Sequence, residues 1–312
     1  MIPYLIRRLA FAIFLVFAVS SASLVLARLA PGDFVSQSMG LGAGRETIEE
    51  ARARLGLNRS IGEQYRVWIT GAARLDFGRS LLFDRPVADL IPERAANTAI
   101  LAITALVVAT LIGLPLGVLT GSRKSGVLTG AIRAASLVLL SMPPLLTSLF
   151  LVFAAARTGW FPVGGMTSTA GGELLRHLVV PAAALALPLV AMFERLQSQA
   201  MSEVIGQPYM LATLGRGVPV SRAVWRDALK GALRPVAAVY GLVIGTLLSG
   251  SFAVETITAW PGLGQLMLAA LRARDVYLVA GCAAAGSVFL AIGTLTSDAA
   301  LAAVDPRTAD TG

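Results

Sequence analysis

Six long segments without Asp, Glu, Lys or Arg divide this chain. A helix needs about 20 predominantly apolar residues to cross a bilayer core about 30 Å thick, and five of the segments are long enough. The fourth is shorter and contains Pro181 and Pro188, so its ends are less sharply defined. The pattern predicts an all-α membrane protein with six transmembrane helices, over residues 9–27, 95–122, 134–156, 177–193, 235–254 and 276–297.

The basic residues predict the orientation of these helices. With the N-terminus inside, the cytoplasmic segments contain twelve of the 26 Lys and Arg residues but only six of the 18 acids. Lys and Arg in short loops favour the cytoplasmic side, so we expect both termini there. The net charge of +8 is then explained by membrane topology, and no basic patch interleaved with aromatic residues indicates nucleic-acid binding.

The same pattern predicts the organisation of the chain. The first helix, residues 1–28, ends at Arg28 without a small-residue cleavage site, which favours a retained helix over a signal peptide. Residues 29–94 form an extracytoplasmic cap, with a helix predicted over 45–73. Residues 95–304 form a five-helix core that contains a cytoplasmic loop, 194–234, and residues 305–312 form a cytoplasmic tail.

The composition excludes several classes of protein. The chain is 56% hydrophobic and 14% charged, too apolar for a water-soluble enzyme or a coiled coil. It has one cysteine, Cys282, and one histidine, His177, which argues against an intrachain disulfide and a zinc cluster. Residues 117–125 do not match a phosphate-binding loop, and no catalytic constellation is recognisable. We therefore expect no catalytic activity and no cofactor in this chain.

The apolar segments contain small residues and a proline pair but few ionisable groups. Apolar segments with few ionisable residues disfavour a carrier driven by protons or sodium, because such carriers keep ionisable residues within the membrane. Pro143 and Pro144 predict a kink in the third helix. Glycines four residues apart let helices approach closely, and we expect helix packing at Gly113, Gly117 and Gly121 and at Gly241 and Gly245.

The inner loop 194–234 is far longer than most helix connections. Pro208 predicts the start of a short helix that runs to about Leu214, and Gly215 and Gly217 end it. A second helix is predicted from Arg222 to Pro235, with Ser221 as N-cap. It combines a basic row suited to the inner leaflet with an apolar row, Trp225, Leu229 and Leu233. The nearly uncharged segment 209–218 is interpreted as a docking surface for a cytoplasmic partner.

At these residues the sequence resembles the dipeptide, oligopeptide and nickel branch of binding-protein-dependent ABC importer permeases. The family's cytoplasmic loop corresponds to YMLATLGRGV (209–218), followed after 18 residues from Gly217 by Pro235. Leu211 stands where the family commonly has a basic residue. Further matching stretches are Arg7-Arg8, LAPGD (29–33), DFGRS (76–80), RPV (85–87), VET (254–256), WPGLG (260–264), RD (274–275) and VDPR (304–307).

The resemblance implies a type I, MetI-like permease of the bacterial inner membrane that imports short peptides. It implies a second homologous permease subunit, two cytoplasmic ATPase subunits that carry ATP and Mg, and an extracytoplasmic substrate-binding protein. The 203–218 loop helix would couple this chain to an ATPase. The coupling residues would be Tyr209, Ala212, Thr213, Leu214, Gly215, Arg216, Gly217 and Val218.

Three alternatives stay open at the level of sequence. A nickel or metal-chelate permease has the same motifs, although His177 and Cys282 are poor evidence for direct binding of a bare ion. An ion-coupled secondary transporter requires a titratable residue in mid-membrane, which the apolar segments lack. A structural membrane scaffold fits the composition but leaves the long inner loop unexplained.

Overall fold

The computed structural model describes residues 2–39, 44–123, 125–166 and 172–304 of the chain. Regular structure in these ranges is helical, apart from an isolated antiparallel bridge between Arg79 and Pro86. The predicted tail 305–312 lies outside the described residues. The helices are α1 (Ile2–Leu29), α2 (Phe34–Met39), α3 (Arg45–Arg54), α4 (Ile61–Ala72), α5 (Val87–Ser122), α6 (Val127–Ser141), α7 (Pro144–Thr158), α8 (Gly172–Ile205), α9 (Pro208–Gly215), α10 (Val220–Arg222), α11 (Leu229–Ile257), α12 (Leu263–Ala273) and α13 (Val276–Val304).

The described helices include five that are long and apolar enough to span a membrane, or six spans if one bent pair counts as a single span. The bent pair is α6 and α7, whose axes differ by 106°. Residues that precede proline avoid the helical region, and both Met142 and Pro143 do so here. Met142 is extended at φ −95° and ψ 115°, and Pro143 at φ −60° and ψ 148°. The proline pair thus produces a sharp break, more severe than the predicted kink.

The helix α8 corrects the prediction for the fourth apolar segment. It runs for 34 residues, with Pro181 and Pro188 inside it, and is not the shortest span. Prolines are tolerated within membrane helices when neighbouring helices support the freed backbone groups. Many side chains of α8 are buried, including Val180 and Ala182 on either side of Pro181 in the sequence.

The inner loop is correspondingly shorter than predicted. Residues 194–205 belong to α8, and the next long helix begins at Val220, with Pro219 rather than Ser221 as its N-cap. The predicted second helix does not end at Pro235. It continues through a π-helical segment, Ala223–Ala228, into α11 and ends at Ile257. Charged residues at 194 and 195 interrupt the apolar pattern without interrupting the backbone hydrogen bonds of α8.

The described residues form two compact units, which differ from the division expected from sequence. The larger unit contains Ala99–Trp260 and the chain from Ile292, and the smaller contains Ile2–Thr98 and Pro261–Ala291. The first helix and residues 261–291 therefore group with the segment expected to form a separate cap. The core of the larger unit is built mainly from α5, α8 and α11, with Leu101, Leu185, Phe193, Val243 and Trp260 among its buried side chains.

In the smaller unit, the helix predicted over 45–73 is divided into α3 and α4. Gly56 lies between them at φ +67°, a left-handed conformation that favours glycine. Ser60 then begins α4 with a capping box, in which its hydroxyl accepts from the Glu63 N–H and the Glu63 carboxylate accepts from the Ser60 N–H. The turn and the new cap therefore divide the predicted helix in two.

Asp33 ties the exit of α1 to α3. Its carboxylate accepts from the Ser36 N–H at 2.8 Å and from Arg52 Nε at 2.5 Å. Partial burial opposes ionisation, but the hydrogen bonds from Arg52 and Ser36 outweigh it and lower the pKa of Asp33 to about 2. Because the folded pKa lies below the unfolded value, this contribution to stability is present at neutral pH and is lost as pH falls from about 4 towards 2.

Asp275 joins two of the sequence stretches that carry the family resemblance. One carboxylate oxygen accepts from the Ser80 hydroxyl at 2.6 Å and the Leu82 N–H at 3.0 Å. The other accepts from the Leu278 N–H at 3.1 Å, so Asp275 also caps the start of α13. Gly78 approaches Tyr277 so closely that an added Cβ would lie 3.4 Å from the ring. The fully buried Asp275 therefore holds the 76–87 turn against α13.

Replacing Asp275 by alanine is expected to lower the free energy of unfolding of the smaller unit by about 3 kcal/mol, because it leaves several buried donors unpaired. The buried thiol of Cys282, the one cysteine in the sequence, offers a direct measurement with a thiol-reactive dye during heating. Asp275→Ala should expose this thiol at a lower temperature. Alanine at the exposed Asp89 is the control, and identical labelling curves for the two variants would contradict the role of Asp275.

Candidate functional site

The short helix α9 begins and ends as its proline and glycines predict. Pro208 occupies its first position, where the missing N–H is not needed. Its last helical residue is Gly215, and Arg216 follows as the C-cap. Gly217 then adopts φ +80°, and an added Cβ there would meet no atom within 4 Å. Glycine is required at 217 by the left-handed backbone alone, at a cost of roughly 1 kcal/mol for another residue.

The two faces of α9 differ in exposure. Met210 is 1% exposed and Thr213 is 8% exposed, so this face packs inward. Leu211 is 65% exposed, and Tyr209 and Leu214 on the same outer surface are also exposed. An eight-residue helix thus presents three sizeable apolar side chains to its surroundings.

The inner face of α9 anchors the helix in the larger unit. Met210 packs in a buried cluster built from Val118 of α5, Ala200 and Met201 of α8, Ala223 and Ala228 of the π-helical segment and Ala232 of α11. The Tyr209 hydroxyl also lies against α11, where an added Cβ at Gly231 would be 3.3 Å away. Because this one cluster includes side chains from several helices, α9 is attached to the bundle and does not hang from a loose connection.

Hydrogen bonds also fix the end of α9. The Thr213 hydroxyl donates to the Tyr209 carbonyl at 2.9 Å. The Arg216 guanidinium donates to the Ala212 carbonyl at 3.3 Å and to the Thr213 hydroxyl at 3.4 Å. Arg216 therefore turns back onto its own helix, where its side chain shares the Ala212 carbonyl with its own backbone N–H, which donates at 3.2 Å.

The glycine row of α5 lies directly on α8. A Cβ added at Gly113 would be 2.8 Å from the Phe193 Cβ, and one at Gly117 would be 2.5 Å from the Gln197 Cβ. A Cβ at Gly121 would clash with the Ser198 carbonyl. Real Cβ atoms do not approach this closely, so the backbone contact depends on glycine at all three positions.

This close contact encloses a polar cluster. The Thr120 hydroxyl donates to the Glu194 carboxylate at 2.5 Å, and Glu194 is 2% exposed. The Thr120 carbonyl accepts from Arg133 Nη2 of α6 at 2.9 Å. Next to these residues is a cavity of about 540 Å³, lined by Arg133, Ser136, Glu194, Arg195, Ser198 and Glu203, among others.

The second glycine pair lies between α11 and α13. A Cβ added at Gly293 would meet the Ile244 side chain and would be 3.9 Å from the Gly241 carbonyl. Gly241 is buried and Gly245 is half-buried. Gly293, which was not among the predicted packing residues, therefore lies in this contact.

Comparison with known proteins identifies the family. Residues 113–310 match the model of the binding-protein-dependent transport system inner membrane component, and residues 1–102 match the model of the N-terminal part of such components. The chain belongs to this family. It is accordingly a multi-pass protein of the bacterial inner membrane.

Similar proteins cover almost the whole chain of this inner-membrane component. The oligopeptide transport system permease protein AppB of Bacillus subtilis is 31% identical over 314 residues, which cover 98% of this chain and 99% of AppB. A Brucella abortus protein, whose name assigns it to a peptide transport system as a permease, is 32% identical over 311 residues. That alignment covers 98% of this chain and 99% of the relative.

The structure separates the predicted coupling residues of this inner-membrane component into two groups. Tyr209, Ala212, Leu214, Gly215, Arg216 and Gly217 are exposed, whereas Thr213 is buried and Val218 is half-buried beside the Met210 cluster. Leu211, the most exposed of the large apolar side chains of α9, was not among the predicted coupling residues, and Met210 was not predicted as its anchor. The spacing of Met210 with Thr213 and of Leu211 with Leu214 could have separated the two faces.

The basic row that follows α9 is exposed throughout, at Arg222, Arg226, Lys230 and Arg234. In the accompanying apolar row, Leu229 and Leu233 are half-buried, but Trp225 is 47% exposed. Within the described ranges, no group of three or more His, Cys, Asp or Glu side chains could hold a metal ion.

The glycine contact can be tested with two matched substitutions. Gly117→Ala should lower the free energy of unfolding by about 2 kcal/mol, because the new methyl group forces α5 away from α8. Gly130→Ala of α6 is the control, since its Cβ would meet nothing within 4 Å and alanine favours a helix. Thermal unfolding in detergent measures both, and equal midpoints would contradict the close contact.

The anchoring of α9 can be tested by hydrogen exchange. Met210→Ala should lower the free energy of local opening of α9 by about 3 kcal/mol, because it removes buried contacts of the side chain. The amides of 209–216 should therefore exchange faster. Leu211→Ala changes the neighbouring, exposed side chain and should leave the exchange rates of these amides nearly unchanged. If both variants protected α9 as well as the wild type does, the anchor would lie elsewhere.

Proposed function

We propose that this chain is a transmembrane permease subunit of an ATP-driven importer for short peptides. Support comes from its family and from relatives named as oligopeptide and peptide permeases, two of which align over nearly their full length. The chain would form half of the translocation pathway. ATP hydrolysis, with ATP and Mg, would take place on partner subunits, and this chain would catalyse no reaction.

The assembly proposed here is a type I, MetI-like importer. Six spans place both termini in the cytoplasm, with α6 and α7 together serving as one broken span. A second homologous permease completes the pathway, two ATPase subunits bind on the cytoplasmic side, and an extracytoplasmic binding protein delivers the peptide. The excess of basic residues on the proposed cytoplasmic side supports this orientation.

The coupling element in this proposal is α9. The single observation that carries it is the contrast between Met210, buried in the bundle, and Leu211, exposed beside it. Exposed apolar side chains on a firmly attached helix suit the surface groove of a partner protein. Tyr209, Leu211 and Leu214 would enter a groove of an ATPase, and Arg216 and Gly217 would shape the end of the contact.

The mechanism follows from the attachment of α9. Closure of the ATPases on ATP would displace α9, and the Met210 cluster would transmit that displacement to α5, α8 and α11. Packed helices move as rigid bodies between discrete arrangements. The bundle would therefore alternate between inward-open and outward-open states, and nucleotide would bias their populations.

Leu211→Asp tests this proposal, with Leu211→Met as its matched control. The complex is reconstituted in liposomes with its binding protein, and peptide uptake and ATPase activity are measured together. A charge buried in the ATPase groove should reduce uptake at least tenfold, an effect of about 1.4 kcal/mol or more, whereas Met should retain most of it. Normal uptake by a well-incorporated Leu211→Asp variant would exclude α9 as the coupling helix.

A further inference from the structure

The cavity between α6 and α8 has the features of a binding site for a small zwitterion. Its volume of about 540 Å³ falls within the range of roughly 300–1,000 Å³ typical of small-molecule sites. A sphere of this volume is about 10 Å across, and a dipeptide or tripeptide in extended form spans about 7 to 11 Å. Size alone therefore admits a short peptide.

The charges of the cavity match both ends of such a molecule. Arg133 and Arg195 supply positive charge, and Glu194 and Glu203 supply negative charge. The Glu203 carboxylate accepts from Gln199 at 3.2 Å. Among the described residues, neither Arg133 nor Glu194 forms an ion pair. Their charges are thus available to a ligand that carries an ammonium group and a carboxylate.

Thr120 holds Arg133 and Glu194 in place on different helices. Its hydroxyl donates to the Glu194 carboxylate at 2.5 Å, and its carbonyl accepts from Arg133 at 2.9 Å. The glycine row keeps Thr120 of α5 close enough to reach α8. One residue therefore contacts both of the opposite charges, which form no ion pair with each other in the described part of the chain.

A second observation shows that the polar groups of this part of α8 are incompletely paired. Gln197, one turn beyond Glu194, is fully buried, and neither atom of its amide has a partner among the described residues. Buried amides without partners are rare in folded proteins. Gln197 packs against Gly117 and does not line the cavity, so this unused hydrogen-bonding capacity lies behind Glu194, in the contact between α5 and α8.

We infer that this cavity binds the free termini of a short peptide in transit, with Glu194 taking the ammonium group and Arg133 the carboxylate. The inference rests on the proposed function and extends it. The permease itself would bind the two charged termini, after the binding protein has released the peptide. Ser136 and Ser198 also line the cavity and would contact the peptide backbone, so the peptide's side chains would not be selected.

The test measures equilibrium binding of labelled dialanine to the intact permease–ATPase complex in nanodiscs, without the binding protein. N-acetyl dialanine and dialanine amide serve as probes that lack one terminal charge. Wild-type complex should bind dialanine saturably and each blocked form at least tenfold more weakly. Glu194→Gln keeps an oxygen to accept from Thr120, so it should weaken dialanine binding at least tenfold but leave N-acetyl dialanine unchanged.

Arg133→Gln provides the complementary variant, which should lose the preference for dialanine over its amide. The midpoint of thermal unfolding in detergent and recovery of the assembled complex verify that both variants are folded. The inference is overturned if dialanine does not bind saturably, or if Glu194→Gln weakens the three probes equally.

Uptake driven by the binding protein, measured on the same wild-type preparation, separates this inference from the proposed function. Uptake without binding in the cavity would leave a peptide importer whose recognition site lies elsewhere. Absence of both uptake and binding would overturn the proposed function together with the inference.

Discussion

The backbone contact between α5 and α8 is the constraint on which the functional parts of the larger unit depend. Gly113, Gly117 and Gly121 remove the side chains that would separate the two helices. Thr120 can therefore reach Glu194, and α8 continues past this charge to Ile205. Small residues serve the same purpose in membrane helices generally, since apolar side chains gain little from leaving lipid for one another.

The attachment of α9 depends on the same pair of helices. Val118 of α5 and Met201 of α8 lie in the glycine-dependent contact and also form part of the cluster around Met210. A displacement of α9 therefore acts on side chains that are already packed against each other. Closely packed interiors transmit strain because they have few voids into which atoms can yield. Anchoring is then a property of the bundle and not of α9 alone, whose own eight residues could not hold a helix in water.

The sequence predicted an all-helical chain with long apolar helices, because the signal for such helices is compositional. Its failures arose where the deciding contact is distant in the chain. Glu194 interrupts the apolar pattern, but its partner Thr120 lies 74 residues earlier, and only the folded bundle shows that the charge is buried. Pro235 was expected to end a helix by a local rule, yet α11 continues through it.

The candidate site shows the same limit. The turn chemistry of Pro208 and Gly217 is local and defined α9 from the sequence. Helical spacing separates the face with Met210 from the face with Leu211, but it does not say which of the two is buried, because both side chains are apolar. Exposure in the fold separates them, at 1% and 65%. Sequence therefore defined the helix, and tertiary packing shows which of its side chains are buried and which are exposed.

In the proposed importer, α8 connects the two sites. Glu194 lies eleven residues before the end of α8 at Ile205, about 16 Å along the helix, and α9 follows directly. If nucleotide acting through α9 changes the affinity of the cavity for peptide, linkage requires peptide in the cavity to change the affinity for nucleotide by the same factor. A buried charge within a continuous helix is well suited to such coupling, because the helix cannot shift without altering the surroundings of Glu194.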